Sequence, residues 1–412
     1  MKAFDELWAS ILEVGRDRHT NGYRRFAWGD ADLTLREWFS DSAARRGMDV
    51  EEDRNGNLWA WWLPPGYRGE PREAFVTGSH LDSVPDGGAF DGPLGVVSAF
   101  AAIDVVRERG IVPDRPIAVT AFSDEEGARF GVACIGSQLS TGALAPGRAL
   151  SLRDHDGITL AEAMTRAGRD PVHLGADPAL AARVGVFVEL HVEQGRALDL
   201  IDAPVAVASS IWPHGRWEFL FTGEANHAGA TRLVDRRDPM LSFASAVHLA
   251  RAAALSHEAV ATFGKVQVLP NGTNAIASEV RAWLDARAAD EPTLTRLVAQ
   301  IQAEAAARAH ADRIDLTVTA ESVAPIVEFP AEVRDRLLRS LAMLGEVPIL
   351  PTAAGHDAGI LSEKVPTAML FVRNPTGVSH SPAEFAEPTD CHHGVRALAQ
   401  VMTDWVTAPV TT

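Results

Sequence analysis

Phe4, Leu7, Trp8, Ile11 and Leu12 recur at the spacing of one helix face, so the chain is expected to open with an amphipathic helix. Thr34-Leu35-Arg36-Glu37 has the form of a capping box and predicts a second helix starting there and ending near Gly47. Unbroken or alternating apolar runs at 57–63, 74–77, 117–122 and 186–190 predict strands. Between them, 93–109 reads as a helix stopped by Gly110. Strands alternating with helices imply an α/β layer around a mostly parallel, buried sheet.

From about Trp212 the pattern changes. Strands are expected at 217–222, 263–269, 279–287 and 314–319, with helices at 239–254 and 293–309. Strand-helix-strand-strand-helix-strand is the ferredoxin-like α+β order. The chain then returns to a helix (331–344), a strand (367–371) and a last helix (389–406). The expectation is one discontinuous domain, 1–211 with 326–412, interrupted by a second at 212–325.

Composition narrows the function. A chain of 412 residues with 46% hydrophobic and 23% charged residues has the balance of a soluble globular protein. Its net charge of −17 excludes the basic footprint that nucleic acid or an anionic membrane requires. Two cysteines, Cys134 and Cys391, make no disulfide framework, and the first residues carry acids where a signal peptide would be apolar. A cytoplasmic protein is expected.

Five potential metal ligands lie in short, separate contexts: His80, Asp91, Glu126, His191 and His380. Imidazole and carboxylate in this ratio suit zinc or a similar divalent ion, and a spare carboxylate would let five ligands hold two ions. Asp91 is the natural bridge, though spacing leaves open which ligand serves which ion. His80, the Glu125-Glu126 pair and His191 each follow a predicted strand, where loops of an α/β sheet converge on one crevice. Of the adjacent acids, a carboxylate on the ion loses basicity while its neighbour can take a proton; Glu126 is read as ligand and Glu125 as general base. Asp82, two residues after His80, is placed to accept the far N–H of an imidazole. The set reads as a two-metal hydrolase.

The motifs around these residues are jointly specific. Gly78-Ser79-His80-Leu81-Asp82-Ser83, Asp91-Gly92-Pro93-Leu94-Gly95, Asp124-Glu125-Glu126-Gly127 and His191-Val192-Glu193-Gln194-Gly195 occur in order. Asn226-His227-Ala228-Gly229, Asp285-Ala286-Arg287, Gly355-His356-Asp357-Ala358 and Ser379-His380-Ser381-Pro382 follow them. The chain resembles the binuclear metal amidohydrolases that include N-carbamoyl-L-amino acid hydrolase, β-ureidopropionase and allantoate amidohydrolase, within the aminoacylase/carboxypeptidase superfamily. The resemblance implies two divalent ions per subunit (zinc, manganese, cobalt or nickel) on the five ligands, Glu125 as base, and an inserted lid through which a homodimer forms. It also implies a ureido substrate with a carboxylate. His227 would meet the developing oxyanion, Arg287 and Asn274 the substrate carboxylate, and Gln194 the ureido amide. Gly377, Ser379, His214 and Arg216 would complete the pocket, while His356-Asp357 would support it. One departure stands out: Ala230-Thr231-Arg232-Leu233 replaces the family's more usual Thr-Thr-Pro-Met, which bears on substrate identity. The competing expectations are an N-acyl-amino acid deacylase or exopeptidase with the same metals, and a metal-holding protein without catalysis.

Overall fold

Residues Ile117–Phe122 are apolar or small at nearly every position and buried at every one, which only a strand covered on both faces achieves. The structure, a computed structural model, describes residues 1–68 and 73–407. The strand has that place because parallel neighbours flank it and helices cover its sheet. In order across the sheet lie Asp49–Glu52, Leu58–Trp62, Ile117–Phe122, Ala74–His80, Val184–Val192, Thr367–Val372 and Val205–Ile211. The four strands from Ile117–Phe122 to Thr367–Val372 run parallel. Those on either side pair antiparallel, so the sheet is parallel at its centre and antiparallel at its margins.

The helix Pro93–Glu108 is apolar nearly all round and buried along almost its whole length, the pattern of a helix enclosed by a core. Its Phe100 meets Phe39 edge-on at 5.1 Å between ring centres. Buried residues of the last helix, Pro388–Val406, including Val395, Leu398 and Met402, join the same core. The second helix departs from expectation. It runs Asp30–Arg45, so Thr34 lies a turn inside it with its hydroxyl bonded back to the Asp30 carbonyl at 2.8 Å. Asp30 and Asp32 occupy the first turn, and the Asp32 carboxylate takes the Trp28 N–H at 2.8 Å. A complete capping box forms instead at Thr159 and Glu162.

Contacts divide the chain into two compact units. The first comprises Met1–Ser209, Phe329–Leu350 and Gly355–Thr412; the second comprises Ser210–Glu328 with the short return Pro351–Ala354. The second unit holds a four-stranded antiparallel sheet in the order Asp315–Ala324, His214–Thr222, Glu279–Arg287, Val260–Leu269. With helices Pro239–Ser256 and Glu291–Ala311 this is the ferredoxin-like order and connection. Along Glu279–Arg287 burial alternates strictly: Val280, Ala282, Leu284 and Ala286 enter the core, and Arg281, Trp283, Asp285 and Arg287 share the other face. Among the described residues no helix is long and apolar enough to cross a membrane.

Candidate metal centre and hydrolytic site

Because the four central strands point the same way, their carboxyl ends share one rim of the sheet. His80 is the last residue of Ala74–His80, and His191 lies in the final turn of pleat of Val184–Val192. Both imidazoles therefore rise from rigid strand backbone rather than from the loops beyond it. Glu125 and Glu126 occupy the loop after Ile117–Phe122, and His380 the loop after Thr367–Val372. Asp91 reaches the rim from the turn before helix Pro93–Glu108. There Gly92 has φ 83°, and a Cβ on it would overlap the His80 ring, so only glycine lets this turn lie so close.

All five candidates come together, in two groups that share Asp91. Asp91 Oδ1 stands 3.1 Å from His191 Nε2 and 3.5 Å from His80 Nε2. Asp91 Oδ2 stands 3.4 Å from His380 Nε2, which in turn is 3.6 Å from Glu126 Oε2. His80, Asp91 and His191 thus form one potential metal-binding group, and Asp91, Glu126 and His380 another. Two donors each about 2.1 Å from one tetrahedral ion stand about 3.4 Å apart, so these separations are those of a shared cation.

The ring tautomers agree. His191 Nδ1 lies 2.9 Å from the Val192 carbonyl and donates to it, so Nε2 carries the lone pair, which accepts the Gly92 N–H at 3.2 Å beside Asp91. His80 Nδ1 faces the Asp82 carbonyl at 3.2 Å and the Asp82 carboxylate at 3.4 Å. His80 Nε2 is buried with no hydrogen-bond partner among the described residues, a cost that a metal bond would remove. Asp82 also accepts the backbone N–H groups of Glu125 (3.2 Å) and Glu126 (3.0 Å), tying imidazole and acidic loop to one carboxylate.

The cluster is rich in buried acid. Burial, with Asp91 adding, pushes the Glu126 carboxyl up to about 7. Burial holds Glu125 well above the usual range despite His80, and Asp357 and Glu126 reinforce it. Burial alone would raise Asp91, but His191, His380 and His80 draw it well below. Buried carboxylates in excess over imidazoles are the electrostatic signature of a place for cations. The donor set fits divalent metal.

Three residues support this arrangement without having been singled out for it in the sequence. Glu384 accepts the N–H groups of Phe90 (2.8 Å) and Asp91 (3.0 Å), and Ser379 Oγ donates to its other oxygen at 3.0 Å. Glu189 accepts from Ser79 Oγ (2.7 Å) and from the Ala358 N–H (2.9 Å). With His191 and His356 it makes a third potential donor group, but its two oxygens are already engaged, so it ties Ser79 to the start of helix Asp357–Leu361. Cys134 Sγ lies 3.2 Å from Glu125 Oε1.

Other expected site residues sort unevenly. Gln194 Nε2 donates to Asp91 Oδ2 at 2.8 Å, and Ser379 Oγ, 3.2 Å from the same oxygen, shares its one proton between Asp91 and Glu384; both belong to the metal cluster itself. Gln194 Oε1 is buried without a partner among the described residues. The backbone donor expected at Gly377 is taken: its N–H bonds Asn374 Oδ1 at 3.1 Å. In the second unit, His227 Nδ1 accepts the N–H groups of Gly229 and Ala230, each at 3.0 Å, which places the ring proton on Nε2. Asn274 is exposed, and the strand pairing sets its neighbour Ala275 opposite His227. Arg287 is not a free fork. Its Nε and Nη2 hold Asp285 at 2.8 and 3.1 Å, and Nη1 donates to the Ala353 carbonyl at 2.5 Å. Arg216 approaches the same Asp285 at 3.5 Å, and burial lowers the neighbouring His214, keeping it neutral.

The family profile described as peptidase family M20/M25/M40 matches residues 76–404. The N-carbamoyl-L-amino acid amidohydrolase of Geobacillus stearothermophilus is 36% identical, over 96% of this chain and 96% of its own. The allantoate amidohydrolase of Escherichia coli (strain K12) is 30% identical, over 97% of each. The crystal structure of an amidase of the hydantoinase/carbamoylase family from Burkholderia vietnamiensis superposes with a TM-score of 0.87, at 29% identity, over 99% of this chain and 98% of that one. From motifs, topology and these matches together, the chain belongs to peptidase family M20/M25/M40, among the relatives that include N-carbamoyl-L-amino acid and allantoate amidohydrolases.

Proposed function

We propose that this protein hydrolyses a linear ureido C–N bond in a carboxylate-bearing substrate, an N-carbamoyl-L-amino acid or allantoate. One divalent ion would sit on His80, Asp91 and His191, the other on Asp91, Glu126 and His380. When bound, the pair supplies a water acidified toward neutrality and a polarised ureido carbonyl. The observation that carries the reading is Asp91 shared between two donor groups, with the Glu125 carboxylate alongside: Glu125 Oε2 is 3.7 Å from His80 Nε2.

The chain's own groups divide the remaining work. Glu125 takes the proton of the attacking water and returns it to the departing nitrogen. Asp82 keeps His80 in the tautomer that presents Nε2. His227, protonated on Nε2, donates to the oxyanion that forms as water adds to the ureido carbon. Arg287 binds the substrate carboxylate through the edge that Asp285 leaves open, with Asn274 assisting, and a lysine would not reproduce that fork. Gln194 Oε1 is the acceptor for a ureido N–H. Collapse breaks the C–N bond; an N-carbamoyl-L-amino acid then gives the free amino acid, and allantoate a ureido product, each with ammonia and carbon dioxide.

The test is an ammonia-release panel on chelated enzyme reloaded separately with zinc, manganese, cobalt or nickel. N-carbamoyl-L-amino acids and allantoate are expected to turn over, with one class preferred; N-acetyl amino acids and dipeptides are not. Cleavage of the latter alone would replace this reading with the deacylase or exopeptidase one. The Ala230–Leu233 departure makes the ureido preference the open variable.

We also propose a homodimer formed through the second unit, in a cytoplasmic enzyme whose two cysteines are both unpaired. Strand Val260–Leu269 lies at an edge of its sheet and exposes Val260, Val266 and Leu269, and helix Pro239–Ser256 exposes Met240, Leu241 and Val247. An open apolar edge of this kind suits a second copy. Sedimentation is expected to give twice the 44.2 kDa chain mass, and Val266→Lys to shift it toward the monomer. A monomeric wild type would rule the dimer out.

A further inference from the structure

Glu125 needs one oxygen turned to the reacting water, yet a glutamate side chain in a loop has several rotamers to choose from. Among the described residues its carboxylate has one hydrogen-bonding side chain, the Cys134 thiol, 3.2 Å from Oε1. The other oxygen, Oε2, is the one near His80 Nε2. The two oxygens thus have different neighbours: one faces a fixed donor, the other the metal cluster.

The backbone around the thiol is built to hold that contact. Cys134 N–H donates to the Glu125 carbonyl at 2.6 Å, Ile135 N–H to the Asp124 carbonyl at 3.0 Å, and Gly136 N–H to the Ser123 carbonyl at 2.9 Å. Residues 134–136 are therefore laced to 123–125. Cys134 itself sits at φ 55°, ψ 37°, a left-handed conformation that a cysteine adopts only when its surroundings compel it, and it immediately precedes helix Ile135–Thr141. Both side chains are buried, Cys134 at 5% and Glu125 at 6% exposure, so water is a poor substitute donor. A cysteine kept for packing alone needs no carboxylate partner and no strained backbone.

We infer that Cys134 is a positioning residue for catalysis: its S–H, donated to Glu125 Oε1, holds the general base so that Oε2 meets the reacting water. The inference rests on the base role proposed for Glu125. A thiol suits the task because it is a weak donor, orienting the carboxylate while leaving its charge largely uncompensated.

The experiment compares Cys134→Ala, Cys134→Ser and Glu125→Gln for kcat, KM, bound metal and melting temperature on the best ureido substrate. Cys134→Ala is expected to lower kcat roughly tenfold, less than the about hundredfold that a 1 Å misplacement can cost, with KM and bound metal unchanged. Cys134→Ser, which restores a donor, is expected to recover most of that loss. Infrared spectroscopy gives an independent reading: the Cys134 S–H stretch should lie at a hydrogen-bonded frequency and rise in Glu125→Ala. Wild-type kcat in Cys134→Ala overturns the inference, as does a serine variant no better than alanine. A kcat loss matched by lost metal overturns it too, because the role would then be structural. An inactive Glu125→Gln beside a fully active Cys134→Ala would leave the base assignment standing and remove only the cysteine's part. An active Glu125→Gln would remove both.

Discussion

Glu125→Gln is expected to lower kcat by about 10³-fold, the range of a lost general base, while the protein keeps its fold and its metal. The reasoning is steric as much as electronic. Glutamine matches glutamate in size, so the buried site around Asp82, Cys134 and His80 does not collapse, and the amide oxygen can still accept the Cys134 S–H. What it cannot do is carry a proton from water to the leaving nitrogen. KM should move little, since Glu125 belongs to neither donor group around Asp91. The companion Glu126→Gln should behave differently, weakening the group that Glu126 forms with Asp91 and His380 and lowering bound metal. Steady-state ammonia release with elemental analysis of each variant separates the two. Turnover within about tenfold of wild type in Glu125→Gln would remove it from the base role.

Much of this site was legible because its chemistry is anchored to regular structure. Ile117–Phe122 and Val184–Val192 announce themselves as mostly apolar runs, and a histidine or acid at the end of such a run has few destinations other than the sheet's rim. Glu279–Arg287 is equally readable, since strict alternation defines a strand with one covered face. Asp49–Glu52 is not: it is a polar edge strand with three exposed positions, held by pairing that leaves no periodic mark. The short helices between Ile135 and Arg183 are too brief to establish a helical period, and the start of the second helix was masked by Thr34 and Glu37 lying at capping-box spacing one turn inside it.

The site's internal wiring depends on contacts distant in sequence. That Asp91 gives one oxygen to His191 and the other to His380 follows from the register of three strands and a turn, none of it encoded in local spacing. Glu384 and Glu189 read as ordinary acids until the fold brings them against the Asp91 turn and Ser79. Cys134 gave only a negative signal, the absence of a disulfide framework. Asp285 could have been found: residues two apart on a strand share a face, so its hold on Arg287 was implicit in the sequence.

The shared carboxylate makes the sharpest prediction about the metal. Asp91→Ala is expected to abolish binding of both ions at once, whereas His380→Ala should disable only the group with Glu126 and retain about one ion per chain. The asymmetry follows from geometry: Asp91 is the sole residue common to both groups, while His380 touches one. Half exposed on its loop, His380 is also the ligand easiest to remove without disturbing the core. Asp91 is harder to replace, because Gln194 donates to its Oδ2 and loses that acceptor with it, while Ser379 is left with Glu384 alone. The variants should therefore be compared by their response to metal as well as by their stability. In wild type, each bound ion at about a hundred times its dissociation constant should add on the order of 2.7 kcal/mol to unfolding, raising the melting temperature. That rise should shrink in His380→Ala and vanish in Asp91→Ala. Two ions still bound by Asp91→Ala, with an undiminished thermal shift, would mean that the groups do not share a bridge.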